Sequence, residues 1–344
     1  MNITVIGAGA WGTALAISLS GHHRVTLWAR NTAQIEAMRT TRRNQRYLPD
    51  ALLPANLELN ADFSAALADA ELAIIAVPTS ALRATLQQIV KSMQLSPSGA
   101  KHSDGITANF GIVWVCKGFE AETSQLPHQV AAQVLPEGFP CGVLSGPSFA
   151  QEVARGLPTA LVLASVDEAF AQRSAQTLHH AHLRIYASSD VTGVEVGGAV
   201  KNVMAIAAGI CDGMGLGHNA RAALLTRGLA EITRLGLKLG GRPETLSGLS
   251  GAGDLILTCT GDLSRNRQVG LLLVQQHDLP EILSRLGHVA EGVYTVREVY
   301  RLAQQLGVAM PICEAVYRVL YEQVSVEEMV AALLNRAPNL EFSQ

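Results

Sequence analysis

Short runs of β-branched and aliphatic residues recur through the first half of the chain, at 3–6, 25–28, 72–77, 112–116, 142–144, 160–164 and 183–186. Between most of them lie stretches with apolar residues at helical spacing, among them 12–19, 81–93 and 168–179. Strand-length runs alternating with helical ones predict a parallel sheet covered by helices on both faces. The last strands of the series fit either that sheet or an antiparallel addition to it. After about residue 189 the strand signal nearly stops, and 191–211, 219–239, 265–276, 295–306, 312–322 and 326–334 all carry helical periodicity. Asp190 is a candidate N-cap for the first long helix of this series. The expected architecture is α/β, with a doubly wound sheet domain over 1–189 and an all-helical domain over 190–344. A polar, turn-rich segment at 96–111 interrupts the pattern and reads as an exposed loop, a surface insertion before the 112–116 strand.

Composition narrows the class. A chain of 344 residues suits two domains of about 100–200 residues each. Hydrophobic residues make up 48% and charged residues 16%, which favours a sizeable core over disorder. A net charge of -3 argues against a nucleic-acid partner, which calls for a basic face. Cys116, Cys141, Cys211, Cys259 and Cys313 are scattered, form no CxxC pair, and read as reduced thiols of a cytoplasmic protein. The N-terminus lacks the basic region and cleavage site of a signal peptide. No stretch approaches the roughly 18 apolar residues of a membrane span. His179, His180 and His182 read as a surface cluster, and no metal site is expected.

The first strand runs directly into Gly7-Ala-Gly-Ala-Trp-Gly12, and a helical run follows at once. A lone GxGxxG is weak, but a strand before it and a helix after it give the context of a Rossmann-type dinucleotide site. Gly7 makes the tight turn, Gly9 lets the backbone approach a pyrophosphate, and Gly12 lets helix and strand pack closely. The helix start at Ala10 then offers free N–H groups to phosphate. Trp11 either lies over the cofactor or packs under the turn. Arg30 follows the second strand, where an acidic residue would select NAD. A guanidinium there can hold a 2′-phosphate, so both NADP(H) and NAD(H) are expected to bind.

Four segments place polar residues where they call for a partner. Lys117 ends a buried-looking strand, at the edge where open α/β sheets bind ligands. Gly146, Ser148 and Ala150 lie in a strand-to-helix turn, where backbone and hydroxyl groups can hold a phosphate or the nicotinamide amide. Lys201 sits within an apolar helix rich in small residues. Lysine is almost never buried without a partner, and burial would lower its pKa toward the range of acid–base chemistry. Asp254 precedes an apolar run and would need a cation, for which Lys201 is the candidate. Ser264, Arg265 and Asn266 start a helix and supply the donors that a phosphate needs.

With these residues in view, the chain resembles bacterial NAD(P)-dependent glycerol-3-phosphate dehydrogenases from residue 3 to about 322. The motifs that carry the resemblance are GAGAWGTALA, VCKGFE, LSGPSFAQEVARG, VGGAVKNVMAIAAGICDG, GLSGAGDLILTCTGDLSRNR and VAEGVYT. The resemblance implies reversible reduction of dihydroxyacetone phosphate to sn-glycerol 3-phosphate, for phospholipid synthesis, and a homodimer. It implies a catalytic role for Lys201 and contacts of Lys117 with both cofactor and substrate. Gly146, Ser148, Asp254, Ser264, Arg265 and Asn266 match its substrate positions. Trp11, Arg30, Ala150, Val289 and Glu291 match its cofactor positions, and Arg265 lies near the cofactor as well. Two departures are the longer 96–111 segment and Ser148, where threonine is also common; the hydroxyl is kept. Two other classes fit the bare fingerprint: a β-hydroxy acid dehydrogenase, and a dinucleotide sensor without catalysis.

Overall fold

Alternation along the strands decides which cover each side chain joins. Ile3, Val5, Leu72, Ile74 and Val113 face one layer of helices, while Ile6, Ala73, Ile75, Ile112 and Trp114 face the other. The computed structural model describes residues 1–93, 110–286 and 290–336. Of the 96–111 segment, only Phe110 and Gly111 lie among them.

The strands are β1 (Asn2–Ile6), β2 (Arg24–Trp28), β3 (Arg43–Asn44), β4 (Leu48–Leu52), β5 (Glu58–Asn60), β6 (Leu72–Ile75), β7 (Gly111–Trp114), β8 (Cys141–Ser145), β9 (Thr159–Ala164) and β10 (Leu183–Ser188). Eight form one sheet in the order β10-β9-β8-β7-β6-β1-β2-β5, and β3 pairs with β4 in a separate hairpin. From β5 to β8 all neighbours are parallel. β9 then runs antiparallel to β8, and β10 runs parallel to β9. The last two strands are therefore a reversed pair. On the edge strand, Leu183 and Ile185 are buried while Arg184 and Tyr186 are exposed, so one face of it is wet.

This reversal delivers the second half of the molecule. β10 ends at the amino edge of the parallel strands, so the helix that follows must climb back along the sheet. That helix, Val191–Gly213, is capped by Asp190, whose carboxylate accepts from the Gly193 and Arg242 amides at 2.8 Å each. Val191 and Val194 pack with Trp114 under the sheet, and from Val196 onward the same helix is the axis of a second, helical core. Beyond it every described element is helical, including Gly217–Lys238, Asp254–Thr260, Arg265–Val274 and Glu291–Leu306. The central helix is long and apolar enough to cross a membrane, against the expectation from sequence. However, 94% of its most apolar stretch is buried within the protein. A helix apolar all round marks one that neighbours enclose on every side.

Elements outside the expected set are short or polar. The β3–β4 hairpin, β5 and the helix Thr32–Thr41 expose much of their length, so no apolar run announces them. The helix expected to start at 295 begins at Glu291, because Gly292 is in its first turn. A Cβ at Gly292 would lie 2.6 Å from the Asn202 carbonyl oxygen.

The helices Val191–Gly213 and Arg265–Val274 cross backbone to backbone. A Cβ on Gly209 would meet the Arg267 carbonyl oxygen at 2.0 Å, and one on Gly270 the Ile206 oxygen at 2.1 Å. Gly209→Ala should therefore destabilise the fold by about 1–3 kcal/mol, the usual cost of overpacking. Gly21→Ala, where a Cβ meets nothing within 4 Å, should cost less. Thermal or urea unfolding of the two variants checks this, and equal stability would refute the close crossing.

Candidate active site

In register, Ile6, Ile75, Trp114 and Val143 lie side by side on β1, β6, β7 and β8. The residues just beyond them therefore share the carboxyl edge of the sheet, with the chain order reversing between β6 and β1. Ligands of open α/β sheets bind at such a switch point. Gly7 turns there with φ +114°, and a Cβ on it would meet the Ala76 carbonyl oxygen at 2.6 Å. Gly12 packs against Gly7 at a distance that leaves no space for a side chain.

Gly9 is different, since a Cβ there would meet nothing within 4 Å. It caps the helix Ala10–Ser20 without any side-chain bond, so the first-turn amides face an open cradle. Asn44 fixes this turn, donating to the Ala8 carbonyl oxygen at 3.0 Å and to Thr13 Oγ1 at 2.8 Å. A tight turn, an open backbone and unpaired helix-start amides fit the pyrophosphate of a dinucleotide. Trp11 is half-buried, and it joins Ala150 around the small cluster of Ala14, Leu48 and Val153. This contact brings the turn after β8 against the fingerprint helix. Arg30 is exposed, two residues past the end of β2.

The centre of the site is one carboxylate between two lysines. Asp254, on the first turn of the helix Asp254–Thr260, is 1% exposed. Its Oδ1 accepts from Lys201 Nζ, and its Oδ2 accepts from Lys117 Nζ at 2.7 Å. Lys201 Nζ also donates to Thr258 Oγ1 at 2.9 Å, and Lys117 Nζ donates to the Gly146 carbonyl oxygen at 3.1 Å. Ser148 Oγ donates to that same oxygen at 3.0 Å. Burial pushes the Lys201 ammonium down to about 8, opposed by Asp254 and reinforced by Lys117. A lysine in that range can give or take a proton near neutral pH.

The other polar residues of the second half close the site from the helical side. Ser264 caps the helix Arg265–Val274, its Oγ accepting from the Arg267 amide at 3.3 Å. Arg265 is exposed on that first turn. Asn266 is buried; it donates to Asn202 Oδ1 and accepts from the Gly292 amide, both at 3.0 Å. It thus pins the residue after Lys201 to the start of the Glu291 helix. Burial pushes the half-buried Glu291 carboxyl up to about 7, against the pull of Arg265, Lys117 and Lys201. Val289 lies outside the described residues.

Three partners were not legible as such in the sequence. Thr258 lies four residues after Asp254, so the two share a helix face, which was an available signal. Asn202 is adjacent to Lys201, but its bond to Asn266 spans 64 residues. The bond between Lys117 and Asp254 spans 137.

Comparisons with known proteins agree with this geometry. Residues 2–171 match the N-terminal region of the NAD-dependent glycerol-3-phosphate dehydrogenases, and residues 190–331 match their C-terminal region. The chain is 59% identical to glycerol-3-phosphate dehydrogenase [NAD(P)+] of Thiobacillus denitrificans, over 99% of this chain and 100% of that one. It is 58% identical to that of Nitrosomonas eutropha, over 99% of each. The crystal structure of the glycerol-3-phosphate dehydrogenase of Coxiella burnetii superposes with a TM-score of 0.89 at 40% identity, covering 97% of this chain and 99% of that one. The chain belongs to the NAD(P)-dependent glycerol-3-phosphate dehydrogenase family.

Proposed function

We propose that Lys201 is the proton donor and acceptor of this enzyme, held by Asp254, and that the residues around them divide between substrate and cofactor. The reaction is the reversible reduction of dihydroxyacetone phosphate to sn-glycerol 3-phosphate, a phospholipid precursor, with NAD(P)H. The observation that carries the assignment is the buried Lys201 bonded to both Asp254 and Thr258.

The dinucleotide, when bound, supplies the hydride that goes to C2 of the substrate. The chain's own residues do the rest. As negative charge develops on the substrate carbonyl oxygen, the Lys201 ammonium gives up a proton to it; in the reverse direction the free amine takes that proton back. Asp254 keeps Lys201 charged against the cost of burial. Two ammonium groups share one carboxylate, so the site keeps a net positive charge for an anionic substrate. Lys117, Gly146 and Ser148 hold the substrate from the sheet edge. Ser264, Arg265, Asn266 and the helix start behind them receive the phosphate, which fixes the carbonyl in place. Gly7, Gly9, Ala10, Trp11 and Gly12, with Ala150 and Glu291, hold the dinucleotide, and Lys117 and Arg265 touch it as well as the substrate. Val289 belongs to this set by the family resemblance. Arg30, at the position that separates the two cofactors, receives the 2′-phosphate of NADPH.

The same reading divides the chain into a cofactor domain, 1–189, and a catalytic domain, 190–344, supported by the change from sheet to helical elements at that point and by the two matched regions. It includes a homodimer, on the resemblance, and a cytoplasmic location, supported by five cysteines that are all free thiols.

Reduction needs Lys201 charged, so its rate should fall as pH rises through about 8, while glycerol 3-phosphate oxidation rises through the same range. Asp254→Asn removes the anion that holds this pKa up, so the fall should move to lower pH. Lys201→Ala should lose about 100-fold or more in kcat. pH–rate profiles in both directions test this, and an active Lys201→Ala would end the assignment. Arg30→Ala should weaken NADPH use far more than NADH use. Steady-state kinetics with both cofactors checks that, and equal losses would place Arg30 away from the 2′-phosphate.

A further inference from the structure

Another buried carboxylate joins the two lysine-bearing elements. Glu195 is 4% exposed and lies on the central helix, six residues before Lys201. Its Oε1 accepts from Trp114 Nε1 at 2.8 Å and from the His128 amide at 3.0 Å. His128 Nδ1 meets its Oε2 at 2.5 Å. Trp114 is the last residue of β7, three before Lys117, and it is fully buried. His128 is in the first turn of the helix Pro127–Val134, whose amide end favours an anion.

We infer that Glu195 is a positioning residue for the reaction: through Trp114 and His128 it sets where along the sheet edge the Lys201 helix stands relative to Lys117. This rests on the assignment of those two lysines above. One turn beyond Glu195, a Cβ on Gly198 would lie 3.5 Å from Lys117 Cγ, so the stem of Lys117 rests on the same helix. Sliding the helix by a fraction of a turn would move Lys201 past Lys117 and strain the shared Asp254. Apolar packing alone does not fix such a slide, because valines and alanines make contacts of similar quality at neighbouring positions. A carboxylate with directional bonds to an indole and a helix start does fix it. An apolar substitute would leave the Trp114 and His128 donors unpaired in the interior, so the carboxylate both satisfies these groups and fixes the register of the helix that carries it. Among the described residues, the thiols of Cys116 and Cys141 also feel its charge; burial pushes both up, helped by Glu291 and Glu195 at Cys116 and by Glu195 at Cys141, which reaches about 12, so they stay neutral.

The test is Glu195→Gln, which keeps the shape and removes the charge and one acceptor. Small misplacements at a reacting centre are costly, so kcat for dihydroxyacetone phosphate reduction should fall about tenfold or more. The Lys201 limb of the pH profile should be displaced as well. NADPH affinity, read by fluorescence quenching, should hold within about twofold, because the fingerprint turn is untouched. A variant that only melts earlier, with wild-type kcat and pH profile, would overturn the inference and leave Lys201→Ala as the separate test of the catalytic assignment. If Glu195→Gln does not fold, His128→Ala serves instead, since it keeps the backbone bond and removes the side-chain one. It should show a smaller loss of kcat, about threefold, and a displaced Lys201 limb. An unchanged kcat and pH profile in that folded variant would equally overturn the inference.

Discussion

Asp254 lies almost wholly out of water, and a carboxylate there is tolerable only while positive charge stays in contact with it. Taking one ion out of water costs several kcal/mol even after relaxation. The two cations that meet this demand come from different halves of the chain, Lys117 from three residues past the end of β7 and Lys201 from the middle of the central helix. Lys201 pairs with this aspartate inside the helical half, and Lys117 reaches its second oxygen from the sheet, so the carboxylate is fully satisfied only when the two halves are packed together. The assembled site and the correct packing of the helical half on the sheet are therefore one event. Any other docking would leave Asp254 Oδ2 without its Lys117 donor.

Close backbone approach makes this packing possible. The glycine pair at the crossing of the central helix brings the Ser264-Arg265-Asn266 turn within reach of Lys201. The asparagine pair then locks the crossing, with Asn266 bridging Asn202 and the Glu291 helix. On the sheet side, the reversed strands β9 and β10 decide where the central helix begins. A parallel β10 would have ended at the carboxyl edge, and the helix would have started beside the site and run away from it. The reversal makes the helix climb, so that its eleventh residue, Lys201, arrives at the ligand-binding edge.

What was legible in the sequence follows from how local its cause is. The fingerprint is a strand, a turn and a helix in a dozen residues, and each glycine has its reason within them. Asp190 could be read as a cap because capping is decided within one turn. Lys201 stood out because no polar face surrounds it, and Asp254 because an apolar run follows it. The partner that could be guessed from this, Lys201 with Asp254, was found. The sharing of Asp254 with Lys117 could not be, since nothing near Lys117 implies an acid 137 residues away. Nor does the sequence around Glu195 say that a tryptophan and a histidine will converge on it. The edge elements β3, β4 and β5 escaped for a different reason: strands with one wet face and few residues carry little hydrophobic signal. The direction of β9 and β10 was open because a strand's own residues do not encode which way its neighbour runs.

The central helix belongs to both cores. Val191 and Val194 complete the cover of the sheet, and the residues from Val196 on organise the helical half. The two halves therefore do not meet at a linker that could be cut and rejoined. A graft of the helical half onto another dinucleotide-binding sheet, joined just before Val191, would remove two valines from the underside of its own sheet and press them against a foreign one. Recombination between such enzymes would have to take the seam into the helix, after its first turn, and carry Trp114 and Glu195 across together. In this lineage the catalytic half is thus not a free-standing cassette; it travels with the surface on which it first folds.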